Sequence, residues 1–304
     1  MAKPVLVLMA AGLGSRFGGL KQMQPMDAQG HLFIDFSVYD ALRAGFEDVI
    51  FIIKPEMEQV FTEKVVRPIS AHANVSLAFQ DLSMLPDGII LPPQRTKPLG
   101  TTHAVLCARA AIAGRPFAAA NADDYYGPEA FELLYRFLSQ DGPADEHLMV
   151  SYLLENTLSP SGPVSRGVCA IRDGYLSRIV EHKKILPHSA GGQFTDKQGN
   201  TFIIPAGTPV SMNCWGFRPG IMPLLEQEFL ASLKRGLAEE PDTFEDILPT
   251  AVETLMEQGS VRIKTQSSHD RWFGVTYKED MPSVTAEIAK IKQAGLYPAR
   301  LWER

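Results

Sequence analysis

Three cysteines in 304 residues, Cys107, Cys169 and Cys214, are too few, too odd in number and too widely spaced for a disulfide framework or a zinc site. They read as reduced, buried small hydrophobes. No apolar run reaches the 18 residues of a membrane span, and no charged segment followed by an apolar core opens the chain. A cytoplasmic location is the expectation. A basic surplus is missing too. Lys and Arg total 29 against 35 Asp and Glu, a formal net charge of −6, which argues against nucleic acid as a partner. A small anion needs only a local basic pocket and stays open. There is no internal repeat, no low-complexity tract and no clear linker.

What is present has the composition of an ordinary globular protein, with 45% apolar and 21% charged residues. The patterning predicts alternating strands and helices. Apolar runs at Val5–Met9 and Asp48–Ile53 read as buried strands around a helix over Phe36–Ala44 that stops at Gly45. Strands follow at Val75–Phe79, Phe117–Ala120 and Leu148–Leu154, with helices at Thr101–Ile112, capped by Thr101 or Thr102, and Pro128–Leu138. Beyond residue 150 the pattern loosens. Ser159–Val164 and Leu186–Gly207 read as loops, and strands are expected at Val168–Ile171, Leu176–Glu181 and Val210–Phe217. Helices are expected at Ile221–Lys234, Thr243–Gln258 and Ser283–Gly295. The fold class is α/β, with a Rossmann-like, doubly wound and mostly parallel sheet and a smaller β region. One domain is expected, with residues 1–150 as a nucleotide half, 151–280 as an acceptor half and 281–304 as a C-terminal helix and tail.

The stretch Met9–Gln22, MAAGLGSRFGGLKQ, directly follows the first strand. Its glycines let backbone N–H groups turn toward one point, and Arg16 and Lys21 add a planar fork and a movable charge. Such a loop suits a polyphosphate. It is not a P-loop, because Leu20 intervenes between Gly19 and Lys21. It is not a dinucleotide fingerprint, because Phe17 stands at the third glycine position and Lys54 follows the second strand.

Leu8-Met9-Ala10-Ala11-Gly12-Leu13-Gly14-Ser15-Arg16, followed by Lys21, resembles the signature loop of the nucleotidyltransferases that make nucleotide sugars. The resemblance implies that Ala10, Ala11, Gly12, Gly14 and Ser15 wrap the triphosphate of a nucleotide, while Arg16 and Lys21 neutralise the departing pyrophosphate. Leu99-Gly100-Thr101-Thr102-His103-Ala104 resembles the segment whose Gly and Thr contact the base. Arg95 stands where relatives often have Gln, and an Arg there can read guanine or reach phosphate. His103 reads as a packed histidine rather than a catalyst.

Asn121-Ala122-Asp123-Asp124, after a strand, resembles the family's metal segment. Asp123 is the implied Mg²⁺ ligand and Asp124 a substrate ligand or its reserve. Ile179-Val180-Glu181-His182-Lys183 resembles the segment that contacts the sugar phosphate. Glu181 is then a hydroxyl acceptor and Lys183 the catalytic partner of the acceptor phosphate, with Gly167 beside the sugar and Asn213 on its hydroxyls. Trp215 and Phe217 read as core. Trp272-Phe273-Gly274-Val275-Thr276 resembles the late segment that supplies a second metal ligand. Thr276 stands in that place here, and Asp280 is the candidate to replace it.

The activity implied is transfer of a nucleotidyl group from an NTP to a sugar 1-phosphate, with Mg²⁺ as cofactor. The short spacer between Arg16 and Lys21 is closer to the cytidylyltransferases of isoprenoid and polyol phosphates, so a polyol, choline or isoprenoid phosphate is the alternative acceptor. Thr276 would also suit a non-catalytic nucleotide-sugar-binding regulator. A homo-oligomer is compatible with the resemblance, and no residue pattern argues for one.

Overall fold

The computed structural model of the chain describes residues 2–12, 23–85, 88–159, 161–196, 198–275 and 278–302. Its strands are β1 (Val5–Met9), β2 (Asp48–Ile53), β3 (Asn74–Phe79), β4 (Phe117–Asn121), β5 (Asp124–Tyr125), β6 (Glu146–Leu153), β7 (Val164–Arg172), β8 (Tyr175–His188), β9 (Gly191–Thr195), β10 (Thr201–Pro205), β11 (Pro209–Phe217), β12 (Arg262–Ser268) and β13 (Phe273–Gly274). Its helices are α1 (Phe33–Ala44), α2 (Glu58–Phe61), α3 (Arg67–Ile69), α4 (Thr101–Cys107), α5 (Arg109–Ile112), α6 (Pro128–Leu138), α7 (Ile221–Glu239), α8 (Leu248–Glu257) and α9 (Met281–Gln293).

All but β5 and β13 join one sheet. In the first half β3, β2, β1 and β4 lie side by side and parallel, each crossover made by helices. β12 is parallel to β6. The remaining neighbours are antiparallel: β11 against β4, β6 and β7, β8 against β7, β9 and β12, and β9 against β10. The sheet is therefore mixed, which corrects the expectation of a mostly parallel one. The reason is local. Strands β7 to β10 follow one another through turns of a few residues, and such short connections permit only antiparallel pairing. Asp173 and Gly174, between β7 and β8, both have positive φ, as a two-residue hairpin turn requires.

β1 shows why its half is apolar throughout. Leu6 and Leu8 pack with residues of α1 and α6 on one face, and Val5, Val7 and Met9 with residues of α4, α7 and α8 on the other. Helices cover both faces, so every β1 side chain is buried. Gly45 closes α1 at φ 116°, its N–H bonded to Ala41 O, as the sequence predicts. Other expectations shift. A helical stretch over 55–69 was not foreseen. Residues 191–205, expected as loop, carry β9 and β10. The helix expected from Thr243 begins only at Leu248, because Ile247 is extended and Pro249 suits a first turn. Cys107, Cys169 and Cys214 are buried, and burial pushes the thiols of Cys107 and Cys169 up to about 11 and about 12. Among the described residues no helix is long and apolar enough to cross a membrane.

The C-terminal segment returns to α1. Phe36, Tyr125, Val284, Ile288 and Tyr297 form a separate apolar cluster. Inside it Tyr125 and Tyr297 share a hydroxyl bond of 2.7 Å, and the Tyr297 hydroxyl donates to Asp40 Oδ2 at 2.6 Å. Asp40 is 1% exposed, and burial raises its carboxyl to about 8. The folded chain thus holds a proton that the unfolded chain releases near pH 4. The stability this gives is complete below pH 4 and is lost as pH rises through 8. Asp40→Asn removes the titration. We expect its urea midpoint to fall less between pH 5 and pH 8 than that of the parent, by on the order of 1–3 kcal/mol in unfolding free energy. Parallel pH profiles for the two proteins would refute it.

Candidate active site

β1 and β4 end side by side, with Met9 opposite Asn121. Ala10 N donates to Ile52 O at 2.8 Å and Ala122 N to Met9 O at 3.1 Å, so the segments leaving both strands start from one place. Ala10 and Ala11 are buried and Gly12 is exposed. Gly14, Ser15, Arg16, Lys21 and Thr276 lie outside the described residues. Asp123 is half-buried in the turn after β4.

Beside this edge lies a cleft of ≈ 280 Å³. Asp124, Gly167, Glu181 and Asn213, four residues predicted as acceptor ligands, all line it. Each arrives by its own route. Asp124 follows β4 and pairs through β5 with Gly274 of β13, which brings the late Trp272–Gly274 segment against it. Gly167 and Glu181 face each other across β7 and β8. A Cβ on Gly167 would lie 2.8 Å from Ile179 Cγ2, so the strand favours glycine there. Asn213 sits where β11 bulges between Ser211 and Trp215, at φ 58°. That turn aims its amide at β4.

A chain of hydrogen bonds fixes these groups. Trp215 Nε1 donates to Asn213 Oδ1 at 2.8 Å, Asn213 Nδ2 to Asn121 Oδ1 at 2.8 Å, and Asn121 Nδ2 to Asp124 Oδ2 at 2.9 Å. Trp215 itself is fully buried core, as expected. The cleft wall opposite is α8 and its approach, with Ile247, Thr250 and Glu253.

Arg166 was not predicted. It is 7% exposed, lines this cleft, and stacks 4.7 Å over the Trp272 ring. Nε donates to Thr157 Oγ1 at 3.0 Å, one terminal nitrogen to Ser165 O at 2.8 Å and the other to Thr157 O. Burial lowers its pKa to about 10, against the pull of Asp124, so it stays charged at neutral pH. Nothing local in the sequence signals a buried arginine here. Arg166 also lines a second cavity of ≈ 100 Å³ that contains Asp280. Asp280 is buried and accepts from Ser159 Oγ at 3.4 Å, and it does not line the acceptor cleft. Lys183 is exposed on a β8 bulge next to Lys184, which has φ 58°, and is not among the cleft lining.

The Leu99–Ala104 segment turns out to clamp the approach to α8. Thr101 caps no helix of its own. Its Oγ1 accepts from Leu248 N at 2.8 Å, and Gly100 takes the N-cap position of α4. His103 is buried, stacked on Phe229 and bonded at Nε2 to Met84 O at 2.9 Å, which fits a packed role. Arg95 corrects the expectation of a base reader. Its guanidinium donates to the carbonyls of Lys97, Pro98, Pro241 and Phe244 and is buried among them. It ties two loops together. A cleft of ≈ 290 Å³ nearby, at the ends of β2 and β3, instead presents Lys54, Gln80 and Thr96. Asp270 is engaged at the start of α6, accepting from Glu129 N at 2.8 Å.

Known structures share this fold. An inositol-1-phosphate CTP transferase from T. maritima aligns over 96% of this chain and 98% of its own, at TM-score 0.63 and 13% identity. A UDP-glucose pyrophosphorylase complexed with UDP-glucose aligns over 95% and 99%, at 0.58 and 16%. A UTP-bound UGPase from Acinetobacter baumannii aligns over 97% and 99%, at 0.56 and 18%. The chain shares their overall fold. At these identities the likeness speaks for the fold alone. No protein-family model matches the chain. No curated protein matches it either. Among the described residues no group of three or more His, Cys, Asp or Glu converges as a metal site.

Proposed function

We propose that the chain transfers a nucleotidyl group from a nucleoside triphosphate to the phosphate of a small hydroxyl-rich acceptor, first a sugar 1-phosphate, releasing pyrophosphate. The observation that carries this reading is the convergence of Asp124, Gly167, Glu181 and Asn213 on one cleft beside the origin of the glycine-rich loop. Carboxylates and amides around a small apolar floor suit a ring bearing many hydroxyls. The fold likeness to a UDP-glucose pyrophosphorylase and an inositol-1-phosphate CTP transferase supports nucleotidyl transfer as the reaction.

The acceptor phosphate is ionised at neutral pH, so its oxygen attacks the α-phosphorus in line with pyrophosphate and needs no general base. Catalysis is then positioning and charge neutralisation. The relay from Trp215 through Asn213 and Asn121 holds Asp124 still against the acceptor ring. Arg166 balances the carboxylates around it. Mg²⁺ takes one or two carboxylates plus substrate phosphates, and half-buried Asp123, with Asp124 adjacent, fits that donor set. When bound there it would supply positive charge beside the triphosphate. Asp280, in a separate cavity, is not proposed as a ligand. Lys183, on the same strand as Glu181, remains the proposed partner of the acceptor phosphate.

A second reading, transfer from CTP to a polyol phosphate, has the TM-score of 0.63 and the short Arg16–Lys21 spacer in its favour. Pyrophosphate release decides between them. Each common nucleoside triphosphate is paired with sugar 1-phosphates and with polyol, choline and isoprenoid phosphates, with Asp123→Ala beside the parent. We expect release with one donor and acceptor pair, reduced roughly 10²-fold in the variant. Silence with every pair, while triphosphate still binds, would leave a nucleotide-binding regulator instead.

A further inference from the structure

A wide cleft of ≈ 790 Å³ lies apart from the site above, between the helical stretch 55–69, the turn before α1 and the last described residues. Lys64, Arg67 and Arg300 line it and are exposed. Among the described residues none of the three makes an ion pair. The carboxylate in its lining, Asp35, is engaged at both oxygens. Oδ2 accepts from Leu32 N at 2.7 Å and Oδ1 from Trp302 Nε1 at 2.9 Å. Burial raises its pKa, and its two oxygens already serve Leu32 and Trp302 rather than the three cations.

The wall that carries Arg300 is fixed. Lys292 Nζ donates to Ala299 O at 2.7 Å and Leu301 N to His31 Nε2 at 3.3 Å. Trp302, held by Asp35, stacks on His72 with centroids 4.9 Å apart and planes 22° apart. The cleft therefore offers cations on two facing walls and a rigid aromatic plate. In a chain of net charge −6, uncompensated cations around one hollow repel each other, and a bound anion relieves that. Arginine forks match phosphate oxygens in pairs, and the volume takes a body larger than phosphate alone.

We propose that this cleft is a second binding site, for a small phosphorylated molecule carrying a dianionic phosphate on a ring-bearing body. Nothing in the proposed transfer reaction requires it.

AMP is the probe, followed by isothermal titration on the full chain. Lys21→Ala disables the proposed nucleotide loop, and Arg67→Glu with Arg300→Glu reverses the cleft. We expect the parent and Lys21→Ala to bind AMP alike, more weakly as salt rises. The double variant should bind at least about 10-fold more weakly while pyrophosphate release stays unchanged. Arg300→Gln, a milder change that guards against misfolding, should weaken binding about 3-fold. Equal affinity in the charge variants, loss of binding in Lys21→Ala, or no binding at millimolar AMP would each overturn the proposal.

Discussion

Gly100→Ala is expected to destabilise the chain by about 3–5 kcal/mol and to weaken acceptor binding with it. Gly100 has φ 98° and ψ −176°, a region open essentially to glycine alone. A Cβ there would lie 2.1 Å from Asp246 O and 2.6 Å from Asp246 C. Those are backbone atoms and cannot swing aside. The contact they block is a zipper. Asp246 N donates to Leu99 O at 2.9 Å, Thr102 N to Asp246 O at 3.2 Å, and Thr102 Oγ1 to Asp246 Oδ1 at 2.5 Å. The next residues, Ile247, Pro249 and Thr250, line the acceptor cleft. Displacing Asp246 therefore moves that wall and should raise the acceptor KM. Gly259→Ala is the comparison, since Gly259 shares a positive φ of 70° but has open space where a Cβ would go. It should cost only about 1 kcal/mol. Equal shifts in urea midpoint for the two variants would mean that φ alone, and not the clash with Asp246, sets the cost.

The first half of the fold was legible because each of its strands is self-sufficient as a signal. Val5–Met9 is apolar on both faces since helices cover both, and that leaves a continuous run that no other element imitates. β9 and β10 carry no such mark. Gly191 to Thr195 opens on two glycines, Thr201 to Pro205 is a five-residue stretch ending in proline, and they become strands by pairing with each other and, for β9, with β8. The Asp173-Gly174 turn between β7 and β8 went unread, and with it the antiparallel direction of the strands it joins. At the site, resemblance named residues from distant segments, and Asp124, Gly167, Glu181 and Asn213 share a cleft. It failed at Arg95, where position in a motif said nothing about four carbonyls folded around the side chain. It missed Arg166, whose burial depends on Trp272 and Thr157, neither within eight residues of it.

Lys21→Ala is expected to lower turnover by roughly 10²–10³-fold, with a smaller change in acceptor KM. The reason lies in the charge of the described cleft. The described lining presents Asp124, Glu181 and Glu253, with Asp123 in the turn beyond β4. Arg166 is the cation among them, and three of its N–H groups already serve Thr157 and Ser165. A triphosphate adds several negative charges to this carboxylate-rich surface, and the count grows on the leaving side as pyrophosphate separates. In the proposed reaction, neutralisation at that point is the part given to Arg16, Lys21 and Mg²⁺. A charge that matters most as the bond breaks appears in kcat more than in binding. Lys21→Arg keeps the charge but not its compact, movable geometry, and should retain more turnover than Lys21→Ala. Near-normal release of pyrophosphate by Lys21→Ala would remove Lys21 from the mechanism. It would leave Lys54, at the edge of the neighbouring cleft, as the cation to test next.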